Sequence, residues 1–212
     1  LTVVLLILVA LAGLALPYVS GTSRKALCDA TDVSMMNIKQ VIMQRYYLDT
    51  LGNLPKDTKD LTDFADYSLD YLFKKPSEWS PFDLDSQVGW RGPYLQGGML
   101  LGATDVSSLH SSFKSTTFVN KVLANGQTVA LDSWGRPFVI QVVSKANCSS
   151  NWGITTNELQ CARLVSAGSD SGLGLGEGSI ATDITAHKSG GDRVRYINVP
   201  TPALDINTPC GE

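Results

Sequence analysis

Hydrophobic and polar positions change pattern abruptly along this chain. Residues 1–16 (LTVVLLILVALAGLAL) carry no charge, Pro17 follows at once, and the first charged side chain is Arg24. Beyond Thr22 the apolar positions spread out. Met35, Ile38, Val41, Ile42 and Tyr46 recur at three- and four-residue steps, with Arg24, Lys25, Asp29, Asp32, Lys39 and Arg45 among them. This spacing predicts a helix of about fifty residues, or two collinear ones, apolar all round in its first half and amphipathic in its second. Gly52, Asn53 and Pro55 supply the stop. Pro17, with Gly13, Ser20 and Gly21 nearby, marks a kink or a locally melted stretch. The chain divides into an apolar helix over 1–22, its amphipathic continuation over 23–53, and a globular part over 54–212.

In that globular part, residues 54–75 set Leu61, Phe64, Ala65, Leu69, Leu72 and Phe73 among many Asp and Lys residues. One short helix or two are expected there, ending before Pro76. Residues 121–131 flank Asn125-Gly126 and read as a hairpin with a tight turn. Residues 138–143 (FVIQVV), 159–165 and 193–199 (RVRYINV) read as strands. Short strands joined by tight turns point to an antiparallel sheet. A long helix laid across a small antiparallel sheet makes an α+β domain. The glycine-rich run 171–178 (SGLGLGEG) is a loop; it has neither a P-loop ending nor dinucleotide spacing.

Composition narrows the function. Charged residues are 17 % of the chain, Gly numbers 19 and the formal net charge is -3. That suits an ordered, loop-rich extracytoplasmic domain, and the scattered Lys and Arg leave no electrostatic footprint for nucleic acid, so no nucleic-acid partner is expected. Cys28, Cys148, Cys161 and Cys210 include no C-x-x-C, which favours disulfides in an oxidising compartment. Three pairings are open. Cys148–Cys161 closes a short loop, and Cys28–Cys210 then follows by elimination, tying the tail to the helix. His110 and His187 form no metal pair, and no G-x-S-x-G, H-E-x-x-H or P-loop occurs, so an enzyme is not expected. The Asp57-Asp60-Asp63-Asp66-Asp70 series reads as a solvated face.

The leading segment has three readings: a marginal transmembrane helix, a signal peptide, or a processed N-terminus that waits in the membrane and later packs into a helical bundle. With no Met and no basic residue before it, the third is favoured.

Here the residues resemble the type IV pilin and type II secretion pseudopilin family. The family's mature chain opens with a methylated Phe, a few apolar residues and a Glu, then an apolar helix with a proline. LTVVLLILVALAGLALPYVSG resembles that helix with its first five or so residues missing. Aligning Pro17 with the family's proline puts the Glu just before Leu1. The competing alignment makes Leu1 the first processed residue and sets Leu5 at the Glu position, as in tip-type minor pseudopilins. The first is preferred because it places the proline. Gly89-Trp90-Arg91-Gly92-Pro93-Tyr94-Leu95 is similar to the GW(R/K)GPYL segment of major pseudopilins. Asp132-Ser133-Trp134-Gly135-Arg136-Pro137-Phe138 is similar to their D-P-W-G-x-P-Y/F, with Ser133 for Pro. Ser166-Ala167-Gly168-Ser169-Asp170 is similar to their S-x-G-x-D turn.

The resemblance implies a pilin-like fold and a structural subunit of an extracytoplasmic helical filament, a type IV pilus or type II secretion pseudopilus. The subunit would sit in the bacterial inner membrane before assembly and in a periplasmic or cell-surface fibre afterwards. Its partners would be copies of itself and the inner-membrane assembly machinery. Leu5, Leu8, Leu11, Leu14 and Pro17 would lie in the filament core. The family's calcium loop implies Ca²⁺, with Asp170 at the matching aspartate and Glu177 and Asp183 as carboxylates close by in sequence. The alternatives are a minor tip pseudopilin that primes assembly and a monomeric membrane-anchored binding ectodomain.

Overall fold

The spacing from Met35 to Tyr46 forms a helix, α1, over residues 23–49 in a computed structural model that describes residues 23–59, 66–114, 121–168, 173–176, 191–207 and 210. Its 27 residues make a rod of about 40 Å. Thr31, Met35, Ile38, Ile42, Tyr46 and Asp49 are its buried positions, one stripe at three- and four-residue steps. Each of Met35, Ile38 and Ile42 contributes about 1.5–3 kcal/mol by leaving water. Ile42–Tyr46 is a π-helical turn. Its wider winding keeps Tyr46 in line with Ile42 on the buried side.

α1 ends in a Schellman turn. Gly52 N–H donates to Tyr47 O at 2.7 Å and Leu51 N–H to Leu48 O at 3.4 Å. The left-handed position falls on Leu51 (φ 55°), one residue before Gly52 (φ 90°), so glycine stands one place late. Leu51 is 73 % exposed and packs on little. Leu51→Gly therefore relieves strain without opening a cavity. A gain of about 0.5–1 kcal/mol is expected, a rise of about 1–4 °C in the thermal midpoint by circular dichroism; a fall would contradict it.

Strands β3 (Val139–Ser144), β4 (Gln160–Ser166) and β5 (Arg193–Tyr196) form an antiparallel sheet in the order β3-β4-β5. Val139 faces Val165, Gln141 faces Arg163, and Arg163 also faces Tyr196. Every residue of β4 is buried, because both faces of the sheet are covered. Ile140, Val142, Ala162, Leu164 and Ile197 pack against Met35, Ile38, Ile42 and Tyr46 of α1. Val139, Val143, Val165 and Val194 belong to a second core with Leu101, Phe113, Leu123 and Trp152. That core is roofed by residues 99–114 and 121–129 and by the helix Lys145–Trp152.

The roof contains a two-stranded sheet, β1 (Met99–Leu100) with β2 (Thr128–Val129), and the short helix α2 (Ala103–Ser108); Lys145–Trp152 is α3. Asn125-Gly126 does turn the chain, with Gly126 at φ 83°. Residues 121–124 are nevertheless not the partner of β2. Gln127 O and Gly126 N–H bond to Leu101 instead, and the Gln127 amide oxygen takes the Ala124 N–H. Of the helices expected over 54–75, the described part holds one 3-10 turn, Leu69–Leu72. Lys56 pairs antiparallel with Tyr67 and Ser68 N–H reaches Pro55 O, so the chain doubles back there. The last strand stops at Tyr196. Beyond it the Asn198 side chain takes the Ala162 N–H and donates to Gln160 O, doing for β4 what further backbone would have done.

The outer edge of β5 is closed. The Asn207 amide both accepts from Val194 N–H and donates to Val194 O, each at 3.0 Å, and Lys39 Nζ donates to Tyr196 O at 2.8 Å. Strand addition at this edge is thereby disfavoured. Two disulfides complete the fold. Cys148–Cys161 joins α3 to β4 inside the second core, both sulfurs fully buried, and Cys28–Cys210 ties the tail to the first turns of α1. Among the described residues no helix is long and apolar enough to cross a membrane.

Candidate functional site

Three structures set how α1 is presented. The first holds its C-terminal end. A carboxylate there opposes the helix dipole, yet Asp49 is 6 % exposed. The segment 89–95 answers it: Arg91 donates to Asp49 Oδ1 at 2.8 Å, and the Tyr94 hydroxyl to Oδ2 at 3.0 Å. Gly89 N–H donates to Asp49 O at 2.8 Å. Tyr94 lies edge-on to Tyr46 and to Trp90, with ring centres 5.3 and 5.8 Å away. Burial pushes the Tyr94 phenol up to about 12, with Asp49 adding to the rise and Arg91 opposing it. The glycines are required by space. A Cβ on Gly89 would stand 2.5 Å from Pro81 O, and one on Gly92 2.7 Å from the rings of Trp90 and Tyr94.

The second joins the turn at 132–138 to Gly168 and Gly191. Asp132 is fully buried and its carboxylate accepts from Trp134 N–H and Arg136 N–H, each at 2.9 Å, and from the Ser166 hydroxyl at 2.7 Å. Arg136, also fully buried, reaches Gly168 O. Burial pushes the Asp132 carboxyl up, against the Ser166 hydroxyl, the backbone donors and the Arg136 charge that pull it down. At Gly168 (φ 63°) a Cβ would come 1.8 Å from Gly191 O, so only glycine lets residues 168 and 191 meet. The turn at 132–138 is also tied to α1, where the Thr31 hydroxyl accepts from Ser133 N–H at 3.1 Å.

The third is the side of α1 turned away from the sheet. Ala26, Ala30, Val33, Asn37, Gln40, Gln44 and Leu48 are all exposed. They follow one another at three- and four-residue steps, so they form a single ridge opposite the buried stripe. None is charged. Exposed Asp29 and Arg45 border the ridge, and Asp32 binds the Arg193 guanidinium through both oxygens. Arg24 and Lys25 separate the ridge from residues 1–23, which are also uncharged.

Leu5, Leu8, Leu11, Leu14 and Pro17 lie outside the described residues, as do Asp170, Glu177 and Asp183. Among the described residues no group of three His, Cys, Asp or Glu side chains could hold a metal ion. His110 Nδ1 meets the Ser112 hydroxyl at 2.9 Å and also accepts from Ser112 N–H, a contact that opens the 3-10 turn Ser111–Lys114. Sequence reasoning missed the network on the far face of the sheet. Fully buried Arg163 donates to Gln141 Oε1 at 2.7 Å, lies 3.5 Å from Asp205 Oδ2, and stacks 4.8 Å from the Trp152 ring centre. Tyr196 also donates to Asp205. An Arg between apolar residues in a buried strand was the available signal, because such a cation needs a partner. Helix α3 was signalled too, by Ser144 as its N-cap and Gly153 at φ 64° as its stop.

No protein-family model, curated protein or solved structure matches the chain.

Proposed function

We propose that this protein is a structural subunit that polymerises through its N-terminal helix into an extracytoplasmic filament of the type IV pilus or type II secretion pseudopilus kind. One observation carries the reading: the uncharged ridge Ala26, Ala30, Val33, Asn37, Gln40, Gln44 and Leu48 on the outer side of α1, in a helix that follows an uncharged leading segment across Arg24 and Lys25. A helix already satisfied on its sheet side has no need of a second uncharged face unless something packs there. Copies of the leading segment would supply it, hiding apolar surface at about 25 cal/mol per Å². Repetition of that contact without closure builds a fibre. The closed edge of β5 agrees with growth through helices and not through strands. The clamp on Asp49 and the Thr31–Ser133 bond transmit load from the helix into the head. Electron microscopy of sheared material from cells carrying Leu8→Arg tests the proposal, and absence of any effect on fibres would reject it.

Calcium belongs to the same reading. Asp170, Glu177 and Asp183 offer the hard oxygen donors that Ca²⁺ prefers, and they fall in sequence between Gly168 and Gly191, which meet in space. A bound ion would cross-link that segment. At about 100 times its dissociation constant it would add about 2.7 kcal/mol. Chelation of the full chain in detergent should therefore lower its thermal midpoint by about 5–10 °C, and added Ca²⁺ should restore it. A midpoint indifferent to both removes the metal.

A further inference from the structure

Strand β5 carries two arginines in different circumstances. Arg193 is 6 % exposed and grips Asp32 through two nitrogens. Arg195 stands two residues on, paired in register with Leu164 and therefore on the α1 face of the sheet. It is largely buried, its Nε is sealed from solvent, and no acceptor reaches that nitrogen. Among the described residues no carboxylate is paired with it. Its charge instead bears on Lys39, the ammonium of which is pushed down by burial first and by Arg195 second. Two cations thus share one corner. A guanidinium does not deprotonate, so it cannot escape the cost of burial by shedding its charge.

A cavity of about 590 Å³ lies over Arg195, between the first turns of α1, β5 and the tail. Lys25 and Thr201 add donors to its wall. Of the two carboxylates there, Asp32 is committed to Arg193, and Asp29 lies one helical turn from Lys25. We propose that this cavity is an oxyanion site in which Arg195, with Lys25 on the same wall, takes a carboxylate or phosphate group through N–H donors of its guanidinium. The group comes either from a small free anion or from a carboxylate side chain of a neighbouring copy. The second source rests on the filament reading; the first does not.

The test uses the full chain in detergent, titrated with inorganic phosphate and with acetate at constant ionic strength against chloride. A free-anion site gives a saturable rise in the thermal midpoint, about 3–5 °C at ten times the dissociation constant. Arg195→Met abolishes that rise while leaving the midpoint in chloride unchanged or higher, because an unpartnered charge has been removed. Arg45→Gln, an exposed arginine outside this cavity, keeps the rise. If the source is a neighbouring copy, the free chain shows no saturable rise, and carbodiimide treatment of isolated filaments couples Lys25 to a carboxylate of a second copy. That coupling falls at least tenfold in Arg195→Met. The proposal is overturned if wild type shows neither response, if Arg195→Met retains whichever is seen, or if Arg195→Met lowers the midpoint in chloride. Absence of filaments leaves the free-anion arm standing, so the two readings fail separately.

Discussion

Cells producing Leu8→Arg should make no filaments, while the head of the same protein folds and forms both disulfides. In the proposed bundle Leu8 faces copies of itself, so one substitution recurs at every subunit. Losing a buried leucine costs about 2–5 kcal/mol, and an unpaired guanidinium in an apolar bundle adds several more. That sum, repeated along a polymer, exceeds what subunit contacts can absorb. Leu8→Val is the control and should leave fibres at near-normal length, since it removes little volume and no charge. Retention of the variant in the membrane fraction separates failed assembly from failed insertion, where a central arginine costs about 2.5–3.5 kcal/mol. Normal fibres from Leu8→Arg would sink the filament reading, whatever the state of the head.

The largest effect on the head itself should come from Arg163→Met. Arg163 is fully buried beside Asp205, also fully buried, and holds Gln141 and the Trp152 ring as well. Met fills similar space but removes the guanidinium from beside the Asp205 carboxylate, which keeps the Tyr196 hydroxyl. Breaking a buried pair from one side costs about 3–5 kcal/mol, which corresponds to a midpoint about 6–20 °C lower in the full chain in detergent. The double variant Arg163→Met, Asp205→Leu should recover more than half of the loss, because an apolar pair replaces a charge pair without leaving an orphan. A single variant that melts within about 2 °C of wild type would show that Asp205 finds compensation elsewhere. The tail reports the same event. Asp205 lies in the 3-10 turn Ala203–Asp205, two residues before the Asn207 that closes the β5 edge. Faster hydrogen exchange at Val194 N–H is therefore expected in Arg163→Met and not in the double variant.

The helix over 23–49 was legible because its signal is local: Met35, Ile38, Ile42 and Tyr46 repeat with the helical period, and the period alone names the buried side. Strands β3 and β4 were legible for a similar reason, their apolar runs being bounded by turn residues. The hairpin at 121–131 was misread at the level of pairing. Asn125-Gly126 turns the chain as expected, but which strand lies beside Thr128 and Val129 depends on hydrogen bonds from Leu101, twenty-odd residues away in sequence. The glycines of 89–95 and Gly168 were visible as motif members. Their necessity was not, because it comes from Pro81 O, two aromatic rings and Gly191 O, which only folding brings close.

By itself the sequence determined that this chain has an uncharged leading segment, a long amphipathic helix behind it, and an α+β head with cysteines suited to disulfides. Each of those follows from composition or from a period shorter than ten residues. Only the tertiary structure decided that the sheet is buried on both faces, that Arg163 is answered by Asp205 while no described carboxylate pairs with Arg195, and that an uncharged ridge of α1, bordered by exposed Asp29 and Arg45, lies opposite its buried side. Whether a buried charge is paired is a property of distance in space. Residues 32, 193 and 195 share one corner of the fold though the chain between them runs through the whole head, and no local pattern encodes which of the two arginines the aspartate will choose.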